Sequence, residues 1–194
     1  MNAGTSEAAA PGSAAGGVRR AGAAPDGVSR TGLPGQADAG SDRVSDGVRR
    51  TGAVVAGALG AIGVLHAVWM RTPWPLGSPA EFADTVVGVG VERLPTPAMC
   101  AEVAVALGAA SYLVGARAGV LPAVGPRLLR TAGAGAVSGV LLARGVGGLL
   151  LFGPAGPGRR IARTERFLRL DRRYYSPLCL ALGTGAALVA ARGA

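Results

Sequence analysis

The sequence predicts an all-α integral membrane bundle of four transmembrane helices with a disordered N-terminal tail, and three observations carry that reading. Four stretches of 18 to 22 residues are almost free of charge, and at about 1.5 Å per residue each can match a hydrocarbon core of about 30 Å. The composition is 49% hydrophobic and only 16% charged, with mean hydropathy +0.38. Its polar residues crowd into the first quarter, so the remainder is more apolar than that average. The net charge is +9, yet its twenty arginines gather at the ends of the apolar stretches, with no aromatic platforms among them. That pattern favours a membrane-flanking role over nucleic-acid binding.

Residues 1–50 read as a low-complexity tail, and 51–194 as the transmembrane domain. The tail is rich in Gly, Ala, Ser, Pro and Asp and has too little apolar surface to offset the entropy of ordering. It holds a near-repeat, Asp26-Gly-Val-Ser-Arg-Thr-Gly32 and Asp46-Gly-Val-Arg-Arg-Thr-Gly52, the mark of a duplicated low-complexity segment. The tail is expected to be dispensable, or to lie upstream of the native translation start. N-terminal sequencing of the native protein that found its first residues would refute this.

The first helix is expected over residues 51–70, between the Arg49–Arg50 pair and Arg71. A signal peptide is the competing reading, but the stretch ends in bulky His66, Trp69 and Met70 without a small-x-small cleavage site. The second spans residues 97–116, opens with Pro97 where a helix tolerates proline, and is interrupted only by Glu102. The third spans 131–152 with Arg144 near its middle, and the fourth spans 174–191 with Pro177 in its first turn. Four crossings place the outer ends of helices one and four on one face, the terminal face. The 71–96 and 153–173 loops then share the other, called X here. Seven arginines flank the terminal face and nine flank X, a balance that leaves orientation open. The stretch from Arg159 to Tyr174 is basic, with Ile161, Phe167, Leu168 and Leu170 at roughly helical spacing, so it is expected along the headgroups.

Small residues recur every four positions at Gly135, Gly139, Ala143 and Gly147, and again at Cys179, Gly183, Ala187 and Ala191. Backbones approach closely along such stripes, and close contact is what holds helices together in lipid. A Gly- and Ala-rich composition also produces some stripes by chance.

An intramembrane arginine is expensive and marks either a structural pair or a functional site. By helical rise, His66 and Glu102 lie roughly 6 to 7 Å from the X end, and Arg144 about 12 Å. Asp171, Tyr174, Tyr175 and Ser176 enter from the same side. Glu102 is the expected partner of Arg144, with His66 or Asp171 as substitutes. Ser176, just before Pro177, is a natural N-cap, and Tyr175 an ordinary interfacial aromatic.

Other chemistry is sparse. His66 is the lone histidine, which rules out a multi-histidine metal site within one chain. Cys100 and Cys179 both lie near X, and two free cysteines are the expected state. No Ser-His-Asp set, phosphate loop, dinucleotide fingerprint or zinc spacing is present. Neither an enzyme nor a cofactor is implied.

His66-x-x-Trp69, the Trp74-Pro75 pair, Arg144-Gly-Val-Gly-Gly148, and above all Phe167-x-x-x-Asp171-Arg172-x-x-Tyr175-Ser176-Pro177-Leu178-Cys179 resemble a bacterial four-helix membrane family, domain of unknown function 3995. The resemblance covers about Gly52 to Ala191 and implies an architecture, but no activity. It would join Asp171, Arg172, Tyr175 and Ser176 to Arg144, Glu102 and His66 in one polar cluster at X.

Two functional readings follow. The first is a structural or accessory component of the cell membrane, with the lipid bilayer as its partner. In that reading it packs against a second copy or a larger complex through Gly135, Gly139, Ala143 and Gly147. The alternative is a small transporter or proton-coupled binding protein that uses the polar cluster in one half of the bilayer.

Overall fold

The uncharged run after Arg50 is helical, and the helix does not stop at the arginines that precede it. In the computed structural model, which describes residues 36–152, 156 and 164–193 with side chains from Asp42 onward, α1 spans Gln36–Trp69. Once an apolar span is helical, each further residue costs only propagation. Val48 packs against the core, and Thr51 Oγ1 donates to the Gly47 carbonyl at 2.9 Å. The expected start at Thr51 therefore moves back to Gln36. The expectation of disorder for residues 1–35 lies outside the described residues.

Three further long helical spans follow. After α2 (Pro79–Phe82) and a π turn over Ala83–Val87, a short 3-10 turn, Val91–Arg93, leads into α3 (Pro97–Arg117). Thr96 caps α3, its Oγ1 accepting from Met99 N at 3.3 Å, and Pro97 takes the first helical position, where its missing N–H costs nothing. Arg127–Phe152 is α4, which begins before the expected Thr131 because Leu129 N and Arg130 N donate to the Pro126 carbonyl. Then α5 (Glu165–Leu170), a π turn over Asp171–Tyr175 and α6 (Ser176–Arg192) run on as one rod. The described elements are all helical, and four are long and apolar enough to cross a membrane: Asp42–Trp69, Pro97–Arg117, Arg127–Phe152 and Glu165–Arg192.

The four spans form a ring in which α1 and α4 each touch α3 and α6. Their shared core is Val55, Leu59, Val114, Ala118, Ala134, Leu182, Ala186 and Val189, with Val114, Ala118, Ala134, Ala186 and Val189 toward the terminal face. Gly183 lets α4 and α6 close up, since a methyl there would stand 2.9 Å from the Leu142 side chain. Ser138 Oγ donates to the Gly183 carbonyl at 2.8 Å across this close approach. At the terminal face Arg117 is only 3% exposed, and its Nη2 donates to the Ala190 carbonyl at 3.1 Å. A cation is well placed there, where the last carbonyls of α6 lack partners in their own helix.

One expectation for the fourth segment changes. Ser176 is not an N-cap: its backbone is helical (φ −65°, ψ −47°) and the chain before it is already wound. The actual cap is Thr164, whose Oγ1 accepts from Phe167 N at 3.3 Å. In the described part of the 159–174 stretch one face is buried, at Phe167, Leu168 and Asp171, while Glu165, Arg166, Arg169, Arg172, Arg173 and Tyr174 are exposed; Ile161 lies outside the described residues.

Candidate functional site

Pro177 has no N–H to donate, and its ring crowds the carbonyl four residues back. The widened turn before it accommodates that, and also changes which side chains meet. In a regular α-helix residues five apart point about 140° away from each other. A π turn closes i to i+5: here Ser176 N donates to the Asp171 carbonyl, and Ser176 Oγ donates to Asp171 Oδ2 at 2.7 Å. Both residues are fully buried.

Asp171 is also the partner of the intramembrane arginine. Arg144 Nη2 donates to Asp171 Oδ1 at 2.5 Å, with the carboxylate 0% exposed and the arginine side chain 42% exposed. The contact runs through one nitrogen, not two, so donors on the guanidinium remain available on the exposed side. Gly148 makes the cluster possible. A methyl there would overlap Ser176 Oγ and stand 2.6 Å from Arg144 Nη1 and 2.8 Å from Asp171 Oδ2. Gly145, on the preceding turn of α4, serves the same purpose, since a Cβ added there would stand 2.9 Å from the Ser176 carbonyl.

The expected Arg144–Glu102 pair is not formed. Glu102 is exposed on α3, and depth along the bundle had matched the two residues without fixing which way each helix turns. Arg172 is also exposed and stands apart from the cluster, beside Phe152, Glu165, Leu168 and Arg169. Tyr175 is half-buried and donates its hydroxyl to the Thr85 carbonyl at 3.2 Å. It thereby ties the rod to the segment that follows α2.

That segment roofs the X end. Its Ala83–Val87 π turn ends at Gly88, whose φ of +74° favours glycine. Gly88 also lies so close to the Phe167 ring that a Cβ would meet Phe167 Cγ at 2.6 Å. Thr164 Oγ1 donates to the Asp84 carbonyl at 2.7 Å, and Arg166 reaches Glu81 at 3.4 Å and Asp84 at 4.0 Å. Trp69 packs edge-on against Phe82 with centroids 4.9 Å apart.

Under this roof lies a cavity of about 310 Å³. Arg144, His66 and the Cys100 thiol are its charged or titratable lining, and Trp69, Phe82, Met99 and Phe167 are prominent among the rest. His66 Nδ1 donates to the Ile62 carbonyl at 2.8 Å. A carbonyl only accepts, so Nδ1 carries the hydrogen, and Nε2 is an acceptor in the neutral ring. A guanidinium and an imidazole thus border the same cavity within aromatic walls. A pocket with a few convergent polar groups is the form that small-molecule sites take. Cys100 and Cys179 are both free thiols. Among the described residues no three His, Cys, Asp or Glu side chains converge to hold a metal ion.

Sequence reasoning missed the roof contacts at Thr85, Asp84 and Arg166, and the buried Arg117. The four-residue spacing of Phe167, Asp171 and Tyr175 was the available signal that one face of the 159–174 stretch packs against the bundle.

A family profile described as "Protein of unknown function (DUF3995)" matches residues 59–186, more than half of the chain. No curated protein and no solved structure matches it.

Proposed function

The chain belongs to the DUF3995 family of proteins of unknown function, and we propose that it is a membrane-embedded binding protein whose X-end cavity takes a small polar group between Arg144 and His66. One observation carries this reading: the exposed side of Arg144 and the His66 ring line the same aromatic cavity. Arg144 is 42% exposed beside a fully buried aspartate, so part of its guanidinium is not taken up by the pair. The buried carboxylate holds the guanidinium in place, and the positive end faces the cavity. An oxygen-rich group that both accepts and donates, such as a carboxylic acid or a phosphate monoester, complements the pair. The packed apolar cluster in the other half of the bundle favours binding over passage across the membrane. We place the protein in a bacterial plasma membrane, in keeping with its four apolar spans and with the family resemblance.

The test is the thermal stability of the full chain in phosphatidylcholine nanodiscs with butyrate or butyl phosphate. A ligand that binds only the folded state at a hundred times its Kd adds about 2.7 kcal/mol. We expect that increment for the wild type, and its loss in Arg144→Gln and in Met99→Trp, which fills the cavity mouth from an exposed position. The same increment in all three proteins would remove the cavity from consideration.

The structural or accessory reading keeps one specific support. A Cβ added at Gly135, Gly139 or Gly147 meets nothing within 4 Å, so this face of α4 is open to a neighbouring helix. Gly139→Leu would then abolish co-purification with a second copy or a larger membrane protein, while leaving ligand binding intact.

A further inference from the structure

A second depression adjoins the cavity at Val103. Between α3 and α4 runs an apolar groove of about 410 Å³ whose lining includes Val103, Leu107, Ala110, Ala136, Val140 and Leu141. Val103 lines both spaces. Leu141 stands one turn from Arg144 on the same face of α4. The groove follows from the sequence, because Ala106, Ala109, Ala110 and Ala136 are too short to fill the gap between the two helices. Along α3 it runs from Val103 to Leu113, about 15 Å at helical rise. No charged side chain lines it.

We propose that the ligand is a single-chain amphiphile with an acidic oxygen head group, held with its head at Arg144 and His66 and its tail in the α3–α4 groove. This rests on the reading of the cavity given above, and adds the class of ligand and its direction of entry. A donor–acceptor pair at one end and an uncharged furrow one helix-gap wide at the other complement such a molecule along its length. The roof from Phe82 to Val87 stands over the head, and the groove residues Ala106, Ala136 and Val140 are exposed on the bundle surface, so the ligand enters sideways from the bilayer. A fatty acid and a long-chain alkyl phosphate share this chemistry, and the head group decides between them. Chain length alone gives no hydrophobic gain over surrounding lipid, so selectivity rests on the head, and the groove fixes where the tail lies.

The experiment uses the full chain in phosphatidylcholine vesicles with two probes, a long-chain fatty acid and a long-chain alkyl phosphate, each carrying a photoactivatable group in mid-chain. Labelling is expected on α3 and α4 around Ala106, Ala110, Ala136 and Val140. It should fall about tenfold in Arg144→Gln, as for loss of one charged contact. It should also fall in Ala136→Phe, which fills the groove from an exposed position, and in Met99→Trp, which keeps the test informative should Arg144→Gln not fold. The probe labelled more strongly identifies the head. Labelling spread over every outer face, or unchanged in the variants, means ordinary surrounding lipid and overturns the proposal. If butyrate or butyl phosphate stabilises the wild type through Arg144 while neither long-chain probe labels the groove, the tail site is overturned and the cavity reading stands. If no compound responds to any variant, both fall.

Discussion

Replacing Arg144 by Gln removes the cation from a carboxylate that has nowhere to go. Asp171 is 0% exposed and makes two bonds, to Arg144 Nη2 at 2.5 Å and to Ser176 Oγ at 2.7 Å. Without Arg144 a charged group stays buried with only a hydroxyl donor, a loss of about 3–5 kcal/mol by comparison with broken buried pairs. Asp171→Asn is milder, because Arg144 at 42% exposure keeps access to its surroundings; one charge-assisted bond is lost, about 1.5–3 kcal/mol. The double variant Arg144→Gln/Asp171→Asn leaves two neutral groups of similar shape and recovers at least about 2 kcal/mol of the summed losses. Glu102→Gln, exposed on α3, changes stability by less than about 0.5 kcal/mol. The assay is equilibrium unfolding in mixed micelles, followed by far-UV circular dichroism. Additivity of the two single changes within about 0.5 kcal/mol would refute the pairing, and so would a loss in Glu102→Gln as large as that in Asp171→Asn.

Three further outcomes follow from contacts elsewhere. Gly148→Ala should destabilise by about 2–4 kcal/mol, since overpacking and a disturbed buried pair act together. Gly147→Ala, with nothing within 4 Å of the added methyl, should be neutral or slightly stabilising, and melting temperatures of the two variants in detergent make the comparison. Arg117→Met should cost about 1–3 kcal/mol, because it removes the donor to the Ala190 carbonyl; hydrogen exchange should then show fraying confined to the last turn of α6. Arg166→Gln breaks exposed pairs of 3.4 and 4.0 Å and should shift global stability by less than about 1 kcal/mol. Exchange in residues 79–88 should nevertheless quicken, and added salt should reproduce the effect in the wild type.

What could be read from the sequence divides along physical lines. The four spans were legible because length and apolarity are one-dimensional properties, and Arg144 stood out as a charge inside such a run. Its partner was legible only as a choice between Glu102 and the substitutes His66 and Asp171, and the first choice failed because matching depth does not fix direction around a helix: Glu102 lies at a suitable height and faces outward. Asp171 was harder still, since Arg169, Arg172 and Arg173 surround it and make the stretch read as interfacial. The first helix boundary failed for a different reason. Residues 36–50 have little drive to form structure alone, and they are helical because a stable span follows them. Arg117 looked like a flanking charge, and only the arrival of the α6 end beside it gives it a buried role.

The run from Phe167 to Ser176 joins these features, because Phe167 and Tyr175 serve the roof while Asp171 and Ser176 serve the charged cluster. Phe167 supports the roof at Gly88, and Tyr175 holds the Thr85 carbonyl. Asp171 and Ser176 form the acceptor that fixes Arg144. The same wide turn permits both functions. It places Ser176 beside Asp171, which a regular helix would separate, and it relieves the missing bond at Pro177. A rod that needed only to cross the membrane would gain nothing from a buried aspartate, since an apolar residue of similar size packs there at lower cost. Holding an arginine against a cavity does require one, and so the geometry of this turn makes better sense as the support of a binding site than as the lock of a bundle.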